Sequence, residues 1–478
     1  MRPPTNQDAH ERIGLQEAAR QAVDAGSFVA DVVDLVRASP GNWEVSSAPE
    51  NAPVWIYVDP PDPPHVASGW KLHVSSAVPS AEEVLRRCAP VLLSDNAPFK
   101  LAASFRVLEA LNEGEAGLSQ IGKFITVYPG DDDHAVALAS RLHEATQGLR
   151  GPRVLSDRPL TTGSLVHYRY GAFDAPELKD DGSALVEDPL AARSSYAAPE
   201  SVDDPFLAKG IAEPDDKSLV AGRYYLSSTI HRSARGAVHT AVDMEGLRNC
   251  IVKRAWRDAR LGPDGLDARD QLRVEAAVLR QLEGKGPFPG VYDVVSHETD
   301  LLLVMEQIPG APLGAVVHRM FDKGNPPALD EIVGWARSLA RALGAVHDEG
   351  LVYRDLNPAN AIATREGKVS LIDFELTRRA GSTTDFYTAG TPGFLSPQQA
   401  QNEPASAADD VFSLGAIIVF AATGDRPSGR GDATRVGDRF GRSGHALERV
   451  AERCLAHDPD QRFSDVRALD VALASAAS

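Results

Sequence analysis

The feature that most constrains this chain is a pair of segments near its C-terminal end, LVYRDLNPANAI and VSLIDFEL, in which Asp355, Asn360 and Asp373 interrupt apolar runs. At 478 residues the chain is too long for one ordinary core. The pair therefore belongs to one of two or three domains, each with enough apolar content to bury its own interior.

No apolar run approaches the roughly 20 residues needed to cross a bilayer, and the N-terminal MRPPTNQDAHERIGLQ lacks the apolar stretch of a secretion signal. A cytoplasmic location is the expectation. Cys88, Cys250 and Cys454 lie too far apart to suggest a disulfide framework or a cysteine zinc cluster, and they read as ordinary buried thiols. The formal charge of −18 disfavours nucleic acid and anionic membrane surfaces as partners. An anion-binding site must then be a local cluster of Lys and Arg.

Apolar residues from Ile13 to Val36 recur at helical spacing before the break at Pro40-Gly41, which predicts a helical extension over 1–42. Between Trp43 and Phe173, β-prone runs (VWIYV, WKLHVSS, KFITVYP, VHYRYGAF) alternate with helical stretches such as SAEEVLRRCAPVLL and DHAVALASRLHEATQGL. That alternation predicts a compact α+β domain over 43–175. In 176–218 Asp, Glu, Pro, Ala and Ser dominate and periodicity is lost, as in a linker or a segment draped over its neighbours. After Leu219 a run of strands leads to a helix and the apolar strand LLLVMEQ, and helical patterns prevail from Leu329.

In GWKLHVSS, Lys71 and His73 stand two apart on a predicted strand, so both project from one face while Trp70, Leu72 and Val74 project from the other. Lys100, Lys123, Arg153, Arg158 and Arg169 punctuate the same region at element ends or in short strands. If the fold brings them together they would bind a dianionic phosphate; if not, they are solvated surface charges, and His73 is structural.

The segments around Asp355 and Asp373 resemble the catalytic and metal-binding loops of the protein kinase superfamily. Other pieces fall in the family's order. Lys253 in CIVKRA stands where a strand lysine holds the ATP phosphates, Glu275 in LRVEAAVLRQL is placed as its ionic partner, and MEQIPG, with Glu306, resembles the hinge that meets the purine. The resemblance implies that Asp355 is aimed at the attacking hydroxyl and that Asn360 and Asp373 bind Mg2+. GTPGFLSPQ resembles the end of an activation segment, Asp410 a buried brace of the catalytic loop, and Arg462 sits in a late DPDQRF motif. Two lobes are expected, 219–308 and 309–478. Several positions depart from the pattern. Only Gly236 survives from the glycine-rich loop, in HRSARGAV; Tyr353 replaces His, Asn357 replaces Lys, Glu375 replaces Gly, and Gln398 replaces the Glu that would pair with Arg462. The competing reading is a pseudokinase scaffold.

The set GWKLHVS, PFK, SQIGKFITVYP, GPRVLSDRPL and VHYRYGAF resembles the N-terminal lyase domain of class III and class IV lanthipeptide synthetases, itself similar to bacterial phosphothreonine lyases. On that resemblance Lys100 matches the general base and His73 the acid that protonates the departing phosphate. Lys71, Arg158 and Arg169 match phosphate-gripping residues, with Lys123, Tyr128 and Arg153 beside them. The implied fold is an α+β phosphothreonine-lyase-like domain followed by a two-lobed kinase-like domain. The implied activity is phosphorylation of Ser or Thr in a precursor peptide bearing a leader, by ATP or GTP with Mg2+, and then elimination to a dehydroamino acid.

Members of that family normally continue into a LanC-like cyclase, whereas this sequence stops at Ser478. The expectation is a truncated chain or a cyclase-less member similar to the lipolanthine and avionin synthetases, with a separate cyclase or decarboxylase as a possible partner. The alternative function is a Ser/Thr protein kinase with a regulatory N-terminal domain. A third is a non-catalytic scaffold for a leader peptide or a separate cyclase.

Overall fold

The computed structural model describes residues 27–48, 54–64, 66–173, 202–212, 219–364, 366–383 and 390–476. Most of the expected helical extension and most of the acidic 176–218 stretch lie outside them. The chain forms two compact units. One runs to Arg248 and takes in 252–270 and 295–302; the other comprises 249–251, 271–294 and 303–478.

The first unit is built on seven strands: β1 (Glu44–Ala48), β2 (Trp55–Asp59), β3 (Ser68–Val74), β4 (Phe99–Ala102), β5 (Ile125–Val127), β6 (Arg158–Pro159) and β7 (Val166–Ala172). They make one antiparallel sheet in the order β1-β2-β4-β5-β3-β7-β6. Alternation along the strands divides the side chains between its faces. Ile56, Val58, Trp70, Leu72, Val74, Phe99, Leu101, Ile125, Val127, Val166 and Tyr168 are buried in the apolar core.

Helices α1 (Val29–Arg37), α2 (Ala81–Ser94), α3 (Phe105–Glu113) and α4 (Asp132–Ala145) contribute to the same core. In α2 the buried Ala81, Val84, Leu85, Cys88, Ala89 and Leu92 recur at the three- and four-residue spacing of one helix face. Ser104 and Asp131 cap α3 and α4, accepting from Val107 N at 3.2 Å and His134 N at 2.8 Å. Strands β2, β3, β5 and β7 and helices α2 and α4 fall where the sequence patterns predict them, whereas the short β1, β4 and β6 and helix α3 are not predicted.

Part of the acidic stretch joins this core. Asp204 caps a one-turn helix, Pro205–Ala208, by accepting from Phe206 N and Leu207 N. Phe206 is fully buried, its ring 3.9 Å from that of Tyr168 in a stacked pair and 5.6 Å from Trp70 edge-on.

Strands β8 (Tyr224–Arg232), β9 (Gly236–Asp243), β10 (Arg248–Ala255), β11 (Val291–His297) and β12 (Asp300–Glu306) form a five-stranded sheet ordered β11-β12-β10-β9-β8. Strands β8 and β9 belong wholly to the first unit, whereas β10, β11 and β12 are each divided between the two units. Helix α5 (Ala268–Gln281) connects β10 to β11.

The second unit is mainly helical, with α6 (Leu313–Asp322), α7 (Leu329–Asp348), α8 (Ala407–Thr423), α9 (Thr434–Phe440), α10 (Gly444–Cys454) and α11 (Val466–Ala476). Helix α8 is buried continuously from Asp409 to Ala422, and α7 and α10 pack on it. A helix apolar all round belongs at the centre of a bundle. Its start is fixed by a capping box: Ser406 Oγ accepts from Ala408 N at 3.3 Å, and Asp409 accepts from Ser406 N at 3.1 Å. Short strands at 311–312, 361–363 and 369–371 form a small sheet whose loops carry Asn360 and Asp373. Among the described residues no helix is long and apolar enough to cross a membrane.

Two candidate active sites

The first candidate lies on the polar face of the seven-stranded sheet. Register puts Tyr57, Lys100, Thr126, His73 and His167 in one row across β2, β4, β5, β3 and β7. One pair along, Lys71 faces Arg169, and its ammonium lies 5.8 Å from the Tyr128 ring centroid. Residues directly opposite in an antiparallel pair project from the same face. Lys100 and His73 are two strand spacings apart, about 10 Å between backbones, so side chains from both can reach one small substrate.

The cluster is built around a buried acid that the sequence reading did not single out. Asp157 is hydrogen-bonded through Oδ2 to His73 Nδ1, and both are almost fully buried. Ser156 Oγ donates to Asp157 Oδ1 at 2.7 Å, and an Arg169 guanidinium nitrogen lies 3.9 Å from the same oxygen. Burial opposes charge on Asp157, but His73, Lys123 and Arg169 outweigh it and hold the carboxyl well below its usual range. An ionised carboxylate only accepts, so Nδ1 of His73 carries the hydrogen. Burial, with the charges of Lys123 and Lys71, outweighs Asp157 and lowers the His73 pKa to about 3, which leaves Nε2 unprotonated.

Lys100 is also perturbed. Burial first, then the charges of Lys71 and Lys123, brings its pKa down to about 8. Trp55 and Tyr57 wall it, with ring centroids 4.5 and 5.9 Å from Nζ. Lys123 is buried, 7% exposed, just before β5. Arg153 lies close enough to His167 to lower that imidazole's pKa, after burial and against Asp157. His167 has its own internal partners, accepting from Val154 N at 3.3 Å and donating to Leu165 O at 3.2 Å, which suits a structural role.

Lys71, His73, Lys100, Lys123, Tyr128, Arg153 and Arg169 are thus brought to one region. Arg158 is not. It pairs in register with Tyr168, whose ring is on the apolar face, and its guanidinium lies 3.6 Å from Asp204. The signal that could have found Asp157 is an acid set among basic residues in GPRVLSDRPL.

The second candidate site is formed by two loops of the second unit. Asp355 Oδ2 accepts from Asn360 Nδ2 at 2.7 Å, and its Oδ1 from Asn357 Nδ2 at 3.1 Å and Thr391 Oγ1 at 3.4 Å. Asn357 Oδ1 in turn accepts from Ala359 N and Asn360 N at 2.9 and 3.2 Å, so the Asn that replaces Lys shapes the loop through its own amide. Burial, then the charge of Asp373, raises the Asp355 pKa to about 7, against its two amide donors. Two neighbouring carboxyls are suited to a divalent cation, and Asn360 and Asp373 offer the oxygen donors.

The backbone is strained at both loops. Arg354 and Asp373 have φ of +66° and +64°, values that side-chain-bearing residues rarely adopt. Fully buried Asp410 holds the first, accepting from Tyr353 N and Arg354 N at 2.8 Å each and bonding His347 Nε2 at 2.8 Å. Tyr353 ties the loops together. Its hydroxyl donates to Ile372 O, and its ring meets Phe374 edge-on at 5.1 Å. Glu275, buried on α5, accepts from Phe374 N at 3.1 Å.

Glu306 spans the end of β12, its backbone N donating to Gly290 O at 2.8 Å and its carboxylate accepting from Gly290 N at 3.2 Å. Lys253 stands half-buried on β10 in the first unit. A Cβ on Gly236 would fall 1.9 Å from Arg254 O, so close approach of β9 to β10 requires glycine there. Gln398 keeps contact with the buried Arg462, which donates to its Oε1 at 2.6 Å and to Ala456 O at 2.8 Å.

A fold with this catalytic-loop geometry is that of a protein kinase. Residues 232–472 match the protein kinase domain family and residues 34–217 match the family described as RamC, N-terminal domain. The chain belongs to the protein kinase family, with a RamC-type domain ahead of the kinase domain. It is 31% identical over 362 residues to a probable SapB synthase of Streptomyces coelicolor, covering 72% of this chain and 39% of that protein. It is 27% identical over 268 residues to serine/threonine-protein kinase C of Synechocystis sp., and 31% identical over 216 residues to serine/threonine-protein kinase PknA of Mycobacterium tuberculosis. Those alignments cover 52% and 44% of this chain. The chain spans 39% to 49% of the length of these relatives. The expected order of an N-terminal lanthipeptide-synthetase-type domain and a kinase domain therefore holds.

Proposed function

We propose that the chain is a bifunctional peptide dehydratase of the lanthipeptide type. Its kinase lobes, about 219–308 and 309–478, phosphorylate Ser or Thr of a precursor peptide. Its lyase domain, about 43–175, eliminates that phosphate to give dehydroalanine or dehydrobutyrine. The observation that carries the reading is the single sheet face shared by Lys71, His73, Lys100 and Arg169, with Asp157 behind His73.

In the first step Asp355 orients the peptide hydroxyl and takes its proton while the oxygen–phosphorus bond forms and the bond to the nucleoside diphosphate breaks. Mg2+, when bound by Asn360 and Asp373, supplies charge neutralisation at the ATP phosphates. In the second step neutral Lys100 removes the Cα proton, the Cβ–oxygen bond breaks, and the electron pair from the C–H bond becomes the new double bond. Lys71, Lys123 and Arg169 hold the phosphate. A bound dianion raises the His73 pKa, so the imidazole arrives protonated and gives its proton to the departing oxygen while Asp157 balances the charge. Arg153 and Tyr128 border this pocket, and Arg158 stands outside it. Lys253, Glu275, Gly236 and Glu306 serve the nucleotide, ATP or GTP.

The partners in this reading are a leader-bearing peptide in the cytoplasm and a separate cyclase or decarboxylase. The test uses a library of synthetic Ser- and Thr-containing peptides with ATP and Mg2+, followed by mass spectrometry. The wild-type chain should give net loss of water, Lys100→Ala should accumulate phosphopeptide, and Asp355→Asn should leave peptides unchanged. Normal dehydration by Lys100→Ala removes the lyase assignment. Stable phosphopeptide from the wild-type chain supports the alternative, a Ser/Thr kinase with a regulatory N-terminal domain.

A further inference from the structure

The stretch that carries Asp157 also carries a clasp. Arg150 Nε donates to Asp258 Oδ1 at 2.7 Å, Nη1 to Gly265 O at 3.0 Å and Nη2 to Asp267 Oδ2 at 3.4 Å. Gly151 N donates to Asp258 Oδ2 at 3.3 Å, and Asp258 N to Asp267 Oδ2 at 2.9 Å. Both acids are 2% exposed. A second contact joins Arg260 Nε to Glu113 Oε2 at 2.6 Å, at the end of α3. A third runs from Arg232 Nη2, in the β8–β9 hairpin, to Leu155 O at 3.3 Å. Every one of these residues belongs to the first unit.

The loop so held lies between β10, which bears Lys253, and α5, which bears Glu275. Asp258 and Arg260 have φ of +57° and +52°, an uncommon shape that persists only where surroundings impose it. The helix starts directly from this loop, with Ala268 N donating to Ala259 O at 2.9 Å.

We propose that the N-terminal domain positions the kinase machinery, with Arg150 and Glu113 as positioning residues that fix the 256–267 loop from which α5 departs. The inference rests on the kinase reading above and adds to it a dependence of phosphoryl transfer on residues that touch neither nucleotide nor peptide. Elimination needs no such dependence on the Arg260–Glu113 pair, because the groups that carry it stand on β2, β3, β4, β5 and β7 and beside them at Lys123 and Asp157.

The test uses the full chain with Arg260→Glu, Glu113→Arg and the double variant, which reverses the pair. Phosphate transfer from labelled ATP to peptides of the synthetic library is measured separately from elimination of a supplied phosphoserine peptide without nucleotide. Each single variant should transfer phosphate about five-fold more slowly or worse and eliminate at the wild-type rate, and the double variant should recover most of the loss. Unchanged transfer in the single variants, a double variant as slow as either one, or equal loss of both reactions overturns the proposal. A wild-type chain that transfers no phosphate overturns the kinase reading itself, and this inference with it.

Discussion

Asp157 and His73, 84 residues apart in sequence, form a buried hydrogen-bonded pair in which the carboxylate accepts from Nδ1 of an imidazole that shares its sheet face with Lys100. Asp157→Asn removes the charge that would support a protonated imidazole and allows the opposite tautomer. Elimination from a supplied phosphopeptide should slow by about 100-fold or more, while phosphate transfer from ATP holds. Single-turnover consumption of a phosphoserine peptide checks this.

A lysine can act as a base only when neutral, and the pKa of Lys100 is lowered to about 8. Elimination should therefore climb with pH toward about 8 and fall at higher pH, where His73 loses the proton that it gives to the departing oxygen. Lys71→Met takes away a positive neighbour, so the Lys100 pKa rises and the climb should move to higher pH, as pH–rate profiles of the two proteins would record. A shift to lower pH contradicts the assignment.

Tyr353→Phe deletes the hydroxyl that donates to Ile372 O between the two kinase loops. Leaving that carbonyl without this donor should cost about 1–3 kcal/mol of stability, measured by urea unfolding, and should slow phosphate transfer. Elimination should be unaffected.

Gln398→Ala withdraws an acceptor from Arg462, which is 2% exposed. The guanidinium nitrogen keeps only its bond to His457 O at 3.1 Å, and loss of the shorter of its two bonds should destabilise the second unit by about 0.5–1.5 kcal/mol, again by urea unfolding.

The kinase half is legible because its chemistry is local: Asp355, Asn360 and Asp373 fall within one short stretch, and Asp410 braces the loop as the motif implies. The role of Tyr353 is not legible, since it depends on a ring packed against Phe374 and on a carbonyl across the loop. On the N-terminal side, strand alternation alone puts Lys71 and His73 on one face. Which other basic residues join them depends on strand order and register, which are non-local. Arg158 stands out for that reason: its pairing with Tyr168 sends it away from Arg169, one residue further along β7. Phe206 is hidden from a compositional reading because one aromatic among acidic and small residues has no period to detect.

That aromatic also dictates where the protein can be cut. Since Phe206 packs against both Trp70 and Tyr168, a fragment ending near residue 175 would uncover apolar surface on the sheet's packed side and invite aggregation. Expression of the N-terminal domain by itself should extend at least through Ala212.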